Sequence, residues 1–192
     1  MNMIRLESNL WGGSRSAAPL IRALVTALLL CSVSVALAGD AASHGFNGLD
    51  NPDQYDNNQL NWRKAEMTWY ESYPEPGSEE CIKYNGCFWE GKFTYFGDEK
   101  KSLEWVANTH ILSVHSKDFE KYKGKVLRLR KDGRQIDAMV YDMCSDDDCD
   151  GCCTENCKET GFLIDLETHT LEKFGVEQGI VEWACLDCEE QE

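Results

Sequence analysis

Val126-Leu127-Arg128-Leu129-Arg130-Lys131-Asp132-Gly133-Arg134-Gln135-Ile136-Asp137-Ala138-Met139-Val140-Tyr141 is the stretch on which the fold turns. Two runs of strand-forming residues flank Lys131-Asp132-Gly133-Arg134, and an Asp-Gly pair in that setting is a tight-hairpin signal. Outward from it, Met67-Thr68-Trp69-Tyr70, Lys92-Phe93-Thr94-Tyr95-Phe96, His110-Ile111-Leu112-Ser113-Val114 and Phe162-Leu163-Ile164-Asp165-Leu166 read as further strands. Gly179-Ile180-Val181-Glu182-Trp183-Ala184-Cys185 reads as the last one. Pro74 and Pro76, then Gly97-Asp98, end the first two of these runs. A short helix is expected after Leu166, with Thr168 as its N-cap and Gly175 just past its end. Short strands in this number, with one or two short helices, predict a mainly β, small six-stranded barrel.

The chain has 192 residues, which suits one domain plus an appendage. Arg5, Arg15 and Arg22 precede an uncharged run from Ala23 that ends in Ala36-Leu37-Ala38. This is the pattern of a secretory signal peptide over residues 1–38. The run from Ala23 to Ala38 is shorter than the ~20 residues of a membrane-spanning helix, so cleavage is expected over anchoring. Residues 39–64 are rich in Gly, Asn and Asp without apolar period and read as a flexible lead-in. The domain is expected over 65–188, with an acidic tail at 189–192.

The formal net charge is −15. Removing residues 1–38 takes away three basic residues and one acidic one, which leaves −17. Such a surface repels nucleic-acid phosphates and anionic lipids, so neither nucleic acid nor membrane is an expected partner. Acidic polysaccharides are disfavoured on the same ground, and neutral ones remain.

Of ten cysteines, Cys31 falls in the leader. Cys81, Cys87, Cys144, Cys149, Cys152, Cys153, Cys185 and Cys188 are disulfide candidates, in keeping with secretion to an extracellular location. Adjacent Cys152 and Cys153 must bridge in different directions. Nine is odd, so one thiol is free or links to a disulfide-bonded partner, and Cys157 is the candidate, with the pairing of the others left open by the sequence. No zinc or other metal site is expected from the two Cys-x-x-Cys pairs in an oxidising setting.

Four stretches in order resemble the expansin and rare lipoprotein A type of double-psi β-barrel. They are Thr68-Trp69-Tyr70, Gly86-Cys87, Val140-Tyr141-Asp142-Met143-Cys144, and Ile164-Asp165-Leu166 followed by Gly179-Ile180-Val181-x-Trp183-x-x-Cys. The resemblance spans roughly residues 66–188. It implies a shallow groove lined by aromatic residues and carboxylates that binds cell-wall or other extracellular polysaccharide. By motif, Asp165 takes the acid position of the endoglucanases that share the barrel, Asp142 a neighbouring carboxylate, and Tyr70 the groove tyrosine. Thr68 belongs to the same opening strand. The chain departs from the family where Leu163-Ile164 stand in place of His-Phe. Tyr70 is followed by Glu71-Ser72-Tyr73, so the endoglucanase base is not in place. Binding without net hydrolysis is therefore the leading expectation. The alternatives are a weak inverting endoglucanase or lytic transglycosylase with Asp165 as acid, and a barwin-like protein-binding factor.

Asp165 lies between Ile164 and Leu166, so on a strand it faces away from both. Its bland alternative is a solvated Asp or a helix cap. For Asp142 the alternative is a turn acceptor. Tyr84 and Trp89, in a polar loop near Gly86 and Gly91, are expected to offer ring faces for sugar stacking, whereas Trp183 reads as core. Asp146, Asp148 and Asp150 form the front half of a calcium loop. The twelfth position, where such a loop needs Glu, is Cys157, so no cofactor is the expectation and Ca²⁺ the lesser alternative. His110, His115 and His169 show no ligand spacing.

Overall fold

The computed structural model describes residues 55–188. The expected signal peptide, the lead-in up to residue 54 and the tail at 189–192 lie outside them. None of the described helices is long and apolar enough to cross a membrane.

Six strands close into a barrel: β1 (Arg63–Tyr70), β2 (Ile111–His115), β3 (Val126–Lys131), β4 (Arg134–Cys144), β5 (Leu163–Glu167) and β6 (Gly179–Cys185). Their order around the barrel is β1-β5-β2-β4-β3-β6, closing back onto β1. The pairs β1–β5 and β2–β4 are parallel, and the other four are antiparallel. This is the mixed, closed double-psi architecture implied by the motifs. β3 and β4 form the hairpin read from the sequence, with Asp132 at φ 51° and Gly133 at φ 74° as the left-handed pair of its two-residue turn.

Alternation fills the interior. Ala65 and Met67, Leu112 and Val114, Leu127 and Leu129, Ile136, Ala138 and Val140, Ile164 and Leu166, and Val181 and Trp183 all point inward, two residues apart on each strand. Trp183 stacks on Phe162 with ring centroids 4.3 Å apart. On the outer face, Arg128 is fully buried and pairs across the β3–β4 ladder with Asp137. Its Nε and Nη2 each donate to a different Asp137 oxygen at 2.7 Å, and Nη1 donates to Asn57 Oδ1.

Six short helices decorate the barrel: α1 (Glu79–Lys83), α2 (Gly86–Trp89), α3 (Leu103–Asn108), α4 (Ser116–Tyr122), α5 (Cys152–Glu155) and α6 (Thr168–Phe174). Only the last was read from the sequence, and its N-cap is Glu167 rather than Thr168. Gly175 closes it in the left-handed conformation. The expected strand at Lys92–Phe96 does not form. It is a single bridge, Lys92 to Lys100, followed by a 3₁₀ turn at Thr94–Phe96. Phe93 and Phe96 pack on Trp105 and Tyr141 outside the barrel, so aromatic burial, not ladder pairing, accounts for their composition. β1 begins at Arg63, two residues inside the stretch read as lead-in, and Trp62 lies beneath the Arg130 guanidinium at 3.8 Å.

Removing one partner of a buried, bidentate ion pair strands the other charge. Asp137→Ala is expected to lower unfolding free energy by about 3–5 kcal/mol. Urea denaturation checks this, and a loss under about 1 kcal/mol would contradict the burial of Arg128 as a charged group.

Candidate functional site

The register of the barrel places four polar residues in one line. Thr68 on β1 pairs with Asp165 on β5, Asp165 with Ser113 on β2, and Ser113 with Asp142 on β4. All lie opposite the inward-facing apolar set. Asp142 joins the row because the β2–β4 ladder slips after Leu112: Leu112 faces Val140, but Ser113 faces Asp142, leaving Tyr141 as the extra residue. Without that bulge, alternation would turn Asp142 toward the core.

This row lies in a groove of about 690 Å³. Glu80, Tyr84 and Trp89 from α1, α2 and the turn between them line it as well, together with Tyr70 and Trp69. Trp69 and Trp89 are roughly half exposed. Trp89 is braced by an edge contact with Phe88 and by its Nε1, which donates to Asp148 Oδ1 at 3.1 Å. Lys83 covers one face of Tyr84, with Nζ 4.8 Å from the ring centre.

The Thr68 hydroxyl donates to Asp165 Oδ1 at 2.6 Å. Withdrawal of Asp165 from bulk water disfavours its ionised form, and the Asp142 charge adds to this, so its pKa is pushed up to about 7 despite the Thr68 bond. Burial raises Asp142 to about 6. Its Oδ1 accepts from the Thr94 N–H, the Thr94 hydroxyl and the Met143 N–H at 3.0, 2.8 and 3.0 Å, so this carboxylate also anchors the 3₁₀ turn. The Tyr70 hydroxyl is buried without a hydrogen-bond partner among the described residues. Burial first, then the charges of Asp142, Glu167, Asp165 and Glu80, hold its pKa well above 10.0.

Glu80 was not read from the sequence. It is half-buried, and desolvation with the charges of Asp165, Glu71 and Glu79 raises it to about 7, against one hydrogen bond from the Glu71 backbone. The only local signal is Ser78 before Glu79-Glu80, an N-cap with acidic residues in the first helical turn. That signal gives the helix but not the groove. Ser113, on the expected third strand, was also not singled out. Its hydroxyl is buried in the row without a hydrogen-bond partner among the described residues.

The cysteine-rich segment stands beside the groove. Cys81–Cys87, Cys144–Cys153, Cys149–Cys152 and Cys185–Cys188 are disulfides. Cys157 is a buried thiol, packed with Cys153 and Leu163. Burial withholds it from the inter-chain link considered for it. Asp146 accepts from the Thr154 N–H and hydroxyl at 2.9 and 2.6 Å, while Asp148 accepts from Asn85 and Trp89. Among the described residues, Asp146, Asp148 and Asp150 do not converge on a shared point.

No family model matches the chain, and no curated protein matches it. Several solved structures are similar. A GH45 endoglucanase crystallised with cellobiose shares 14% identity at a TM-score of 0.43, over 66% of this chain and 81% of that one. An expansin of Clavibacter michiganensis shares 12% at 0.39, over 68% and 52%. A Streptomyces papain inhibitor shares 15% at 0.36, over 66% and 96%. The barrel itself is established by strand order and register.

An acid whose folded pKa is raised stabilises the fold below its unfolded pKa and loses that contribution as pH rises through the folded one. Asp165 should therefore cost stability between pH 3.8 and about 7. Wild type is expected to lose stability relative to Asp165→Asn across that window and to run parallel to it above. Urea midpoints at a series of pH values test this, and parallel curves throughout would contradict the raised pKa.

Proposed function

We propose that the groove binds a neutral polysaccharide outside the cell and that protonated Asp165 faces a glycosidic oxygen. The observation that carries this reading is Asp165 itself. It is a groove-floor carboxyl raised to about 7, with Thr68 bonded to one oxygen and the other left for the proton. A general acid needs its proton at the working pH, and a pKa near neutrality meets that requirement.

Three further features support it. Trp69 and Trp89 offer exposed rings beside the floor, suited to the C–H faces of sugars. Asp142, Asp165 and Glu80 in one groove, on a chain of net charge −15, disfavour a uronic-acid polymer. Four disulfides suit an oxidising compartment. Whether bound chains are also cut depends on a second carboxyl. Glu71 follows Tyr70 and lines the groove, but it is out of register with the endoglucanase base, which is the ground for expecting binding without net cleavage.

Pull-down on insoluble cellulose, chitin, β-1,3-glucan and peptidoglycan tests the proposal. Capture by at least one neutral polymer is expected, weakened roughly three- to tenfold in Trp89→Ala and retained in Asp165→Asn. Capture by none of the four would contradict the groove reading and turn attention to a protein partner.

A further inference from the structure

The groove floor holds polar groups that the fold leaves open. Ser113 sits between Asp165 and Asp142 in the row and is only 2% exposed, yet its hydroxyl has no hydrogen-bond partner among the described residues. The Tyr70 hydroxyl, on the same groove, has none either. Of the neighbouring charges, that of Asp142 acts on Tyr70 most strongly. Asp142 itself is committed at one oxygen. Its Oδ1 accepts from the Thr94 N–H, the Thr94 hydroxyl and the Met143 N–H, while its Oδ2 accepts from no donor among the described residues. Buried polar groups are as a rule bonded, so hydroxyls left open along a groove mark where a ligand's polar group is taken up.

A group that answers this arrangement carries positive charge and donates hydrogen bonds. The protein supplies none. Lys92 is the lysine of the groove lining, and its Nζ lies 5.4 Å over the Phe88 ring without an ion pair among the described residues. A metal ion fits poorly. Among the described residues, the group of ligating side chains close enough to share an ion is Cys144, Cys149, Cys152 and Cys153, and these are disulfide-bonded. An ammonium group needs no cage of carboxylates, because it brings one charge and three N–H donors. Ser113 and Asp142 are ladder partners on one face, and neighbouring strands lie about 4.8 Å apart, so one ammonium reaches both side chains.

We infer that Asp142 Oδ2 and Ser113 Oγ take the ammonium group of an amino-sugar unit, so that the groove prefers an otherwise neutral polysaccharide bearing free amines, such as partly de-N-acetylated β-linked N-acetylglucosamine. The inference rests on the polysaccharide reading above and narrows it. Asp165 lies two strands along the same row, where it faces the glycosidic oxygen while the amine of a unit farther along the chain is held at Asp142. The two carboxyls suit these separate tasks. Asp142 is raised to about 6 and Asp165 to about 7, so between those values the first is ionised while the second keeps its proton.

The test is calorimetric titration of the protein with a soluble β-1,4-linked glucosamine oligomer and with its fully N-acetylated counterpart, at a pH just above the Asp142 value of about 6. Wild type is expected to bind the amine-bearing oligomer tighter by roughly tenfold or more. Asp142→Asn keeps an acceptor for the three donors and removes the charge, and it should bring the ratio of the two affinities toward one. Ser113→Ala should lower that ratio about threefold. Glu172→Gln removes the same charge from an exposed position on α6 outside the groove and should keep the wild-type ratio. The wild-type preference should also collapse in about 1 M NaCl, a readout that does not depend on any variant folding. Equal binding of the two oligomers by wild type overturns the assignment, as does a preference untouched in Asp142→Asn or lost equally in Glu172→Gln, and all three leave the polysaccharide reading standing. Failure to bind either oligomer, together with no capture in the pull-down, overturns that reading itself.

Discussion

Everything in the groove depends on the slipped register between β2 and β4. The barrel closes through two parallel pairs, and strict alternation commits one face of every strand to the apolar interior. A regular ladder would line up Ser113 with Tyr141 and send Asp142 inward. The extra residue at Tyr141 instead sets Asp142 beside Ser113, so Thr68, Asp165, Ser113 and Asp142 form one row over four strands. The same bulge leaves Tyr141 to pack outside with Phe96 and Trp105, and these rings anchor the segment that flanks the groove. One local irregularity thus supplies both a carboxyl of the floor and part of its wall.

Gathering carboxyls at this row is electrostatically unfavourable, and the surroundings moderate it only in part. The Thr68 hydroxyl bonds one oxygen of Asp165, and three donors converge on one oxygen of Asp142. Two residues along β5 from Asp165, fully buried Glu167 accepts from Ser72 at 2.9 Å and from the His169 N–H at 2.8 Å. No Lys or Arg side chain is bonded to Asp165, Asp142 or Glu80 among the described residues, although Lys92 lines the groove. Withdrawal from water first, and the charge of neighbouring carboxylates second, raises Asp165, Asp142 and Glu80. A site of this kind is prepared to hold and hand on protons near neutral pH. The barrel tolerates it because the disulfides and the apolar interior fix the surrounding backbone independently of the groove.

Much of this was legible because strand chemistry is local. Branched apolar residues two apart, an Asp-Gly turn and an Asp between Ile164 and Leu166 are written into short windows, and each named its own strand and face. The six-stranded barrel follows from them. The short helices other than α6 were hidden for a physical reason: pieces of four to seven residues lie below the length at which a helix is stable alone, so tertiary contacts, not propensity, create them, and α6 was legible through its capping residues. Lys92–Phe96 misled because aromatic residues suit both a ladder and a buried cluster, and Gly91 and Gly97, at φ 67° and 63°, turn the chain away on either side. Glu80 could not be read at all. Its sequence neighbourhood is a polar helix start, and tertiary contacts such as the Cys81–Cys87 bridge and the close approach of Gly86 set it in a groove whose floor carboxyls, Asp142 and Asp165, lie far along the chain.

The account stands on a groove-floor carboxyl that keeps its proton near neutral pH. A ¹³C-carboxyl NMR titration of the protein, with the Asp165 resonance assigned by its loss in Asp165→Asn, measures this directly. The predicted result is a midpoint near 7 for Asp165. A midpoint near the ordinary 3.8 would show an ionised, solvated carboxylate and contradict the proton-donating role from which the functional reading is built.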